Sequence, residues 1–202
     1  MMIRRSIIAV GLVTASVSGA RADCLSDFNS INKVNAGAGP YEISGRIFIA
    51  PTAASFPETP QTITTVQVAP PSSFRVRMRA VDIIVTGNTK GWVRNAGASW
   101  VAVPPDKLPA LMKDGPLRGY FTADGLSDLQ CGGIQVVDGK PRLTFTYNAV
   151  VNGRKATVTA YFDPDSRRPE AGESVTESGG TKARTATSYK FDRAIRITPP
   201  VP

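Results

Sequence analysis

The chain has 202 residues, 24 of them lysine or arginine, 16 aspartate or glutamate and none histidine, for a formal net charge of +8. Without histidine, no Ser-His-Asp or Cys-His catalytic arrangement and no imidazole metal site can be built. The two cysteines, Cys24 and Cys131, have no second pair with which to complete a thiolate metal site. At the N-terminus Arg4 and Arg5 lead into an apolar run from Ile7 to Val17, and Ser18-Gly19-Ala20-Arg21-Ala22 then presents the A-x-A pattern that signal peptidase reads. That run is too short to span ~30 Å of hydrocarbon, and no later stretch supplies the ~20 apolar residues of a membrane helix. Residues 1–22 are therefore expected to be a signal peptide cut after Ala22, delivering residues 23–202 to the periplasm as one domain of about 180 residues. Both the Sec and the twin-arginine routes are open to Arg4-Arg5. Cleavage removes three arginines and lowers the formal charge to +5. An oxidising compartment makes a Cys24–Cys131 disulfide the natural state of the two thiols.

After Asp23, Leu25, Phe28, Ile31 and Val34 recur at three-residue spacing until Ala36-Gly37-Ala38-Gly39-Pro40, which predicts one amphipathic helix. Residues 41–49 read as a strand, 51–62 as a Pro- and Thr-rich loop, and 63–68 as a second strand ended by Pro70-Pro71. In Phe74-Arg75-Val76-Arg77-Met78-Arg79 the apolar residues face one side of a strand and three arginines the other. Strands over 82–86, 91–94 and 99–103 follow, joined by turns rich in Asn and Gly. Asp106 then caps a short helix over 107–114, with Leu108, Leu111 and Met112 as its apolar face and Gly115-Pro116 as its end. The sheet resumes over 133–137, 142–147 and 156–162, with turns at Asp138-Gly139 and Asn152-Gly153. Strands over 174–177 and 186–197 flank Gly179-Gly180. The fold class expected is mainly β with two or three helices. Its curved antiparallel sheet, a half-barrel, is covered by the N-terminal helix and the short central helix, because so long a sheet curls and its apolar face needs a cover.

Several segments, in order along most of the mature chain, are similar to the periplasmic LolA/LolB-like superfamily. They are the strand ending in Gly45-Arg46-Ile47, Lys90-Gly91-Trp92-Val93 running into Ser99-Trp100-Val101-Ala102-Val103-Pro104, Val137-Asp138-Gly139-Lys140, Tyr161-Phe162-Asp163 with Pro169 beyond it, and the ending from Tyr189-Lys190-Phe191-Asp192 to Ile195-Arg196-Ile197-Thr198-Pro199-Pro200. The resemblance implies a half-open barrel closed by helices that handles lipids or lipid-modified proteins. It places no gating arginine on a particular residue, and Cys24 with Cys131 marks a divergent, disulfide-containing member.

No catalytic residue and no cofactor is expected. Asp163 and Asp165 could serve a carboxylate-based hydrolase, but a Pro-Asp turn accounts for them. Binding through apolar surface remains, with Phe74, Val76, Met78, Trp92, Trp100, Leu111, Met112, Phe145, Tyr147 and Tyr161 as the candidate lining; these residues suit a ligand pocket or an ordinary core. The function expected is non-enzymatic binding of a hydrophobic small molecule, a lipid or a lipoprotein acyl chain, with an envelope protein partner or a transient membrane contact and no nucleic acid. A second reading is an envelope scaffolding protein with a filled core, whose basic face docks an anionic partner.

Overall fold

The computed structural model describes residues 18–200 apart from 35, 114 and 152, so most of the expected signal peptide lies outside the described residues, as does Asn152 of the expected hairpin turn. Helix α1 (Ser18–Ile31) precedes a first meander of β1 (Tyr41–Pro51), β2 (Thr62–Ala69), β3 (Ser73–Met78), β4 (Val81–Thr86), β5 (Lys90–Asn95) and β6 (Val101–Ala102). Helix α2 (Leu108–Lys113) and a long loop lead to a second meander of β7 (Ser127–Val137), β8 (Lys140–Val151), β9 (Arg154–Phe162), β10 (Pro169–Ser178) and β11 (Thr181–Phe191). The eleven strands form one antiparallel sheet in the order β6-β5-β4-β3-β2-β1-β11-β10-β9-β8-β7. The sheet is not closed, and β6 and β7 are its edges. First and last strands meet in the middle, with Tyr41 opposite Phe191, and this pairing joins the two meanders.

Side chains alternate along each strand, so register decides which residues share a face. Tyr41, Val68, Phe74, Val85 and Gly91 lie in one row across β1 to β5. All five are buried. On the same face of the second meander, Phe145 lies opposite Ala160, Tyr147 opposite Val158 and Leu143 opposite Phe162. This packed face receives both helices. Cys24, Phe28 and Ile31 form the buried stripe of α1 at i, i+4 and i+7, and the Phe28 ring sits 5.3 Å from Phe145 and 5.0 Å from Tyr147. The Cys24–Cys131 disulfide, with Cα atoms 5.8 Å apart, staples α1 to β7, and Asp27 pairs with Arg167. Under α2, Gly91 permits close approach: a Cβ there would meet Leu108 Cδ1 at 3.0 Å and Val103 Cβ at 3.3 Å.

The structure departs from the sequence reading at several places, among them β10, which begins at Pro169 instead of Ser174. Helix α1 starts at Ser18, and Leu25, expected on its apolar face, is exposed. Strand β7 begins at Ser127 instead of Gly133, because two register shifts and positive φ at Asp128 and Gly133 break the alternation by which a strand is recognised. Strand β6 keeps only two of its five expected residues. Strand β11 ends at Phe191, where Asp192 donates its N–H to Pro40 O at 3.0 Å and its carboxylate accepts the N–H of Ala194, so Ile195 and Ile197 continue outside the sheet.

Candidate functional site

The connection from β6 to β7 carries the chain between the opposite edges of the sheet. It crosses the packed face. After α2, residues 115–123 form a strap held down by three buried phenols: Tyr41 Oη donates to Pro116 O at 3.2 Å, Tyr147 Oη to Thr122 O at 2.8 Å and Tyr189 Oη to Tyr120 O. Asn32, just past α1, completes the fastening. Its Oδ1 accepts the Phe121 N–H at 2.7 Å and its Nδ2 donates to Phe121 O at 2.9 Å, while Tyr120 donates its N–H to Asn32 O. The Phe121 ring lies on Gly172, where a Cβ would stand 2.3 Å from Phe121 Cε1. Such bonds are what allow an irregular segment to be buried, since each backbone polar group left unpaired there would cost about 1–3 kcal/mol. Desolvation pushes the phenols of Tyr41, Tyr147 and Tyr189 well above their ordinary range.

On the first-meander side of the strap lies an apolar cavity of about 580 Å³. Phe74 and Val76 of β3, Ile83 of β4, Val93 of β5 and the 101–104 segment line it on the sheet side. Ala110 and Leu111 of α2 lie across from them, with Gly115 and Pro116 of the strap at its inner end. Among the described residues that line it, Lys107 is the one that carries a charge. The volume falls in the ~300–1,000 Å³ range of small-molecule pockets. A second hollow of about 290 Å³, under the strap, shares Gly115 and Pro116 with the first.

Of the ten residues singled out from the sequence, Phe74, Val76 and Leu111 line this cavity. Met78 shares their face two residues further along β3 and is exposed. Met112 packs against the main core, and Phe145 and Tyr147 are fully buried in it. Trp92 lies in register with Ile84 and Ala102, and Tyr161 with Thr144 and Ala171, on the opposite face. Trp100 stacks under the Arg94 guanidinium, 4.6 Å from the ring centroid. The sequence reading missed Ile83, Val93, Val101 and Val103. Their signal was parity: Phe74 and Val76 fix the face, and pairing across the β3–β4 and β4–β5 turns carries it to Ile83 and Val93.

On the opposite face Asp82 joins two of the arginines, with Arg75 Nη2 at 2.6 Å and Arg94 Nη2 at 3.1 Å. Burial alone would raise the Asp82 carboxyl, but the hydrogen bonds and charges of Arg75 and Arg94 outweigh it and hold it below the usual carboxylate range. Asp163 accepts the Ser166 N–H at 2.6 Å within an exposed turn. Bonding from Ser166 holds its carboxyl below the usual carboxylate range. Among the described residues no cluster of three or more Cys, Asp or Glu is placed to hold a metal ion.

The described residues thus form an open antiparallel sheet with an apolar cavity beside one half of it. No family model matches the sequence, and no curated protein is similar to it. Solved structures are similar in fold. Lipoprotein LppX of Mycobacterium tuberculosis superposes with a TM-score of 0.50 at 15% identity, covering 91% of this chain and 100% of that one. A LolA superfamily protein from Nitrosomonas europaea gives 0.36 at 12% identity, covering 85% and 93%. The chain has a LolA-like fold, as its sequence motifs implied.

Proposed function

We propose that the protein is an exported, non-enzymatic binding protein for a hydrophobic ligand, a lipid or a lipoprotein acyl chain, held between a curved half-barrel sheet and its helices. The observation that carries this reading is the cavity, whose described lining residues are apolar except for Lys107. Aliphatic side chains facing an unfilled volume gain about 25 cal/mol for each Å² of apolar ligand surface they take from water. The same open volume counts against a scaffolding protein whose sheet is filled by its own side chains. Export follows from the N-terminal reading together with the disulfide, because such bonds persist in oxidising compartments. Cleavage after Ala22 would cut within α1 and leave Asp23–Ile31 held by Cys24, Asp27 and Phe28.

The test is native mass spectrometry of protein purified from the periplasm, followed by titration of the delipidated protein with a fluorescent fatty acid. A co-purifying lipid and saturable uptake of the probe are expected, and Ile83→Trp, which places an indole in the cavity, should abolish uptake while thermal unfolding stays cooperative. Absence of both lipid and uptake in the wild-type protein would refute the reading.

A further inference from the structure

The arginines left over from the Asp82 cluster gather at one end of the first meander. Arg77 is in register with Asp82 and Thr65, and Arg46 with Ile63. Continuing the β2–β3 register sets Ile63 level with Arg79. Arg46, Arg77 and Arg79 are exposed and Ile63 is 59% exposed. With Arg75 and Arg94, five guanidinium groups share this patch with the single carboxylate of Asp82. The nearest other acidic residues on this face are Glu173, level with Arg46 two strands across and 4.0 Å from Arg184, and Glu42 toward the start of β1, bonded to Gln67. The β3–β4 hairpin therefore presents a cationic tip whose other side is apolar: Met78, between Arg77 and Arg79, is 44% exposed and faces the cavity side.

This tip lies at the open end of the cavity. Leu108 closes one end over Gly91. At the other end the row Val76, Ile83, Val93 and Val101 runs out to Met78, Val81 and Asn95 at the hairpin tips, and Val101 is 62% exposed.

We propose that this end of the sheet docks on an anionic lipid bilayer, with Arg46, Arg77 and Arg79 against the headgroups and Ile63 and Met78 at the interface. Charge complementarity selects the partner. Guanidinium groups pair with phosphate oxygens, and several cations acting together bind a surface of many phosphates far better than one soluble anion. Exposed apolar side chains beside them gain from the boundary between headgroups and acyl chains. The docking stands on the patch alone. Only its consequence, that the cavity mouth then opens at headgroup level, rests on the carrier reading.

The experiment is co-sedimentation of the mature protein with vesicles of phosphatidylcholine, with and without phosphatidylglycerol, over a salt series. Binding is expected only with phosphatidylglycerol, weakening as salt rises. Removing two cations near an anionic surface, in Arg77→Gln/Arg79→Gln, should lower partitioning about thirtyfold. Removing two exposed cations elsewhere, in Arg154→Gln/Lys155→Gln, should change it far less. Uptake of a fluorescent fatty acid in vesicle-free solution should survive both pairs, which separates failure of docking from failure of the cavity. Equal binding to pure phosphatidylcholine, equal loss in both pairs, or saturation by soluble polyphosphate without vesicle binding would overturn the proposal.

Discussion

Replacing both Cys24 and Cys131 by alanine opens a loop whose ends lie 107 residues apart in sequence. The chain-entropy cost of closing such a loop corresponds to about 5 kcal/mol at 25 °C, released on unfolding when the bond is absent. For a domain of about 150–250 residues each kcal/mol moves Tm by about 2–4 °C, so a fall of roughly 10–20 °C is expected. The folded state should change little. Helix α1 keeps Phe28 between Phe145 and Tyr147 and the Asp27–Arg167 pair, and Asn32 keeps its bonds to Phe121. Scanning calorimetry of the wild-type and double-alanine proteins measures the shift, and near-ultraviolet circular dichroism checks that the aromatic core is unchanged. A fall of less than about 3 °C, with the wild-type disulfide verified by thiol titration, would refute the reasoning, because the constraint would then be acting on an unfolded chain already as compact as the bridged one.

Gly172→Val should cost about 1–3 kcal/mol in urea unfolding, since its Cβ would stand 2.3 Å from Phe121 Cε1 and push the strap off the sheet; faster hydrogen exchange at Tyr120 and Phe121 is the local signature. Asp82→Asn should destabilise by about 1 kcal/mol at neutral pH, a modest figure because the partner Arg94 is partly exposed. The Asp82 carboxyl is held below its unfolded value, so its contribution is present above pH ~4 and disappears as pH falls through the folded pKa; urea unfolding at pH 7 and pH 3 should show the difference between wild type and variant shrinking with acid. The phenols of Tyr41, Tyr147 and Tyr189 are raised by burial. Their protonated forms favour the folded state, an advantage complete below pH ~10 and lost as pH climbs from there toward the folded values. Absorbance titration should therefore show these tyrosines ionising together with alkaline unfolding, and reversible ionisation near pH 10 with the fold intact would contradict the burial.

Much of the sheet was legible because alternation and turn chemistry are local. Phe74-Arg75-Val76-Arg77-Met78 declares its two faces without reference to anything distant, and Asp138-Gly139, with positive φ at both residues, marks the β7–β8 turn in the sequence itself. The cavity was only partly legible, because size drew attention where parity decides. Trp92 is the largest side chain on β5, yet its neighbour Val93 pairs with Ile83 and faces the cavity. A stretch such as 115–123 has no period to detect. Its place depends on Tyr41, Asn32, Tyr147 and Tyr189, partners 25 to 89 residues away in sequence, and no local pattern announces a phenol that donates to a distant carbonyl.

The strap also explains why the packed face is filled on one side and hollow on the other. Where β8 and β9 lie, Phe145, Tyr147 and Phe162 meet Phe28 from α1 and Phe121 from the strap in edge and tilted contacts of 5.0–5.3 Å. Aromatic rings supplied from both layers leave little room between them. Over β3 to β5 the sheet offers mainly aliphatic side chains, and the layer above is six residues of α2, whose Leu108 reaches the sheet only because Gly91 and Val103 admit it. A helix that short cannot cover three strands. Because Tyr41 and Tyr189 pin the strap at the boundary between the two regions, the aromatic core has no path by which to collapse into the open side, and the cavity persists as a property of where the crossing segment is fastened.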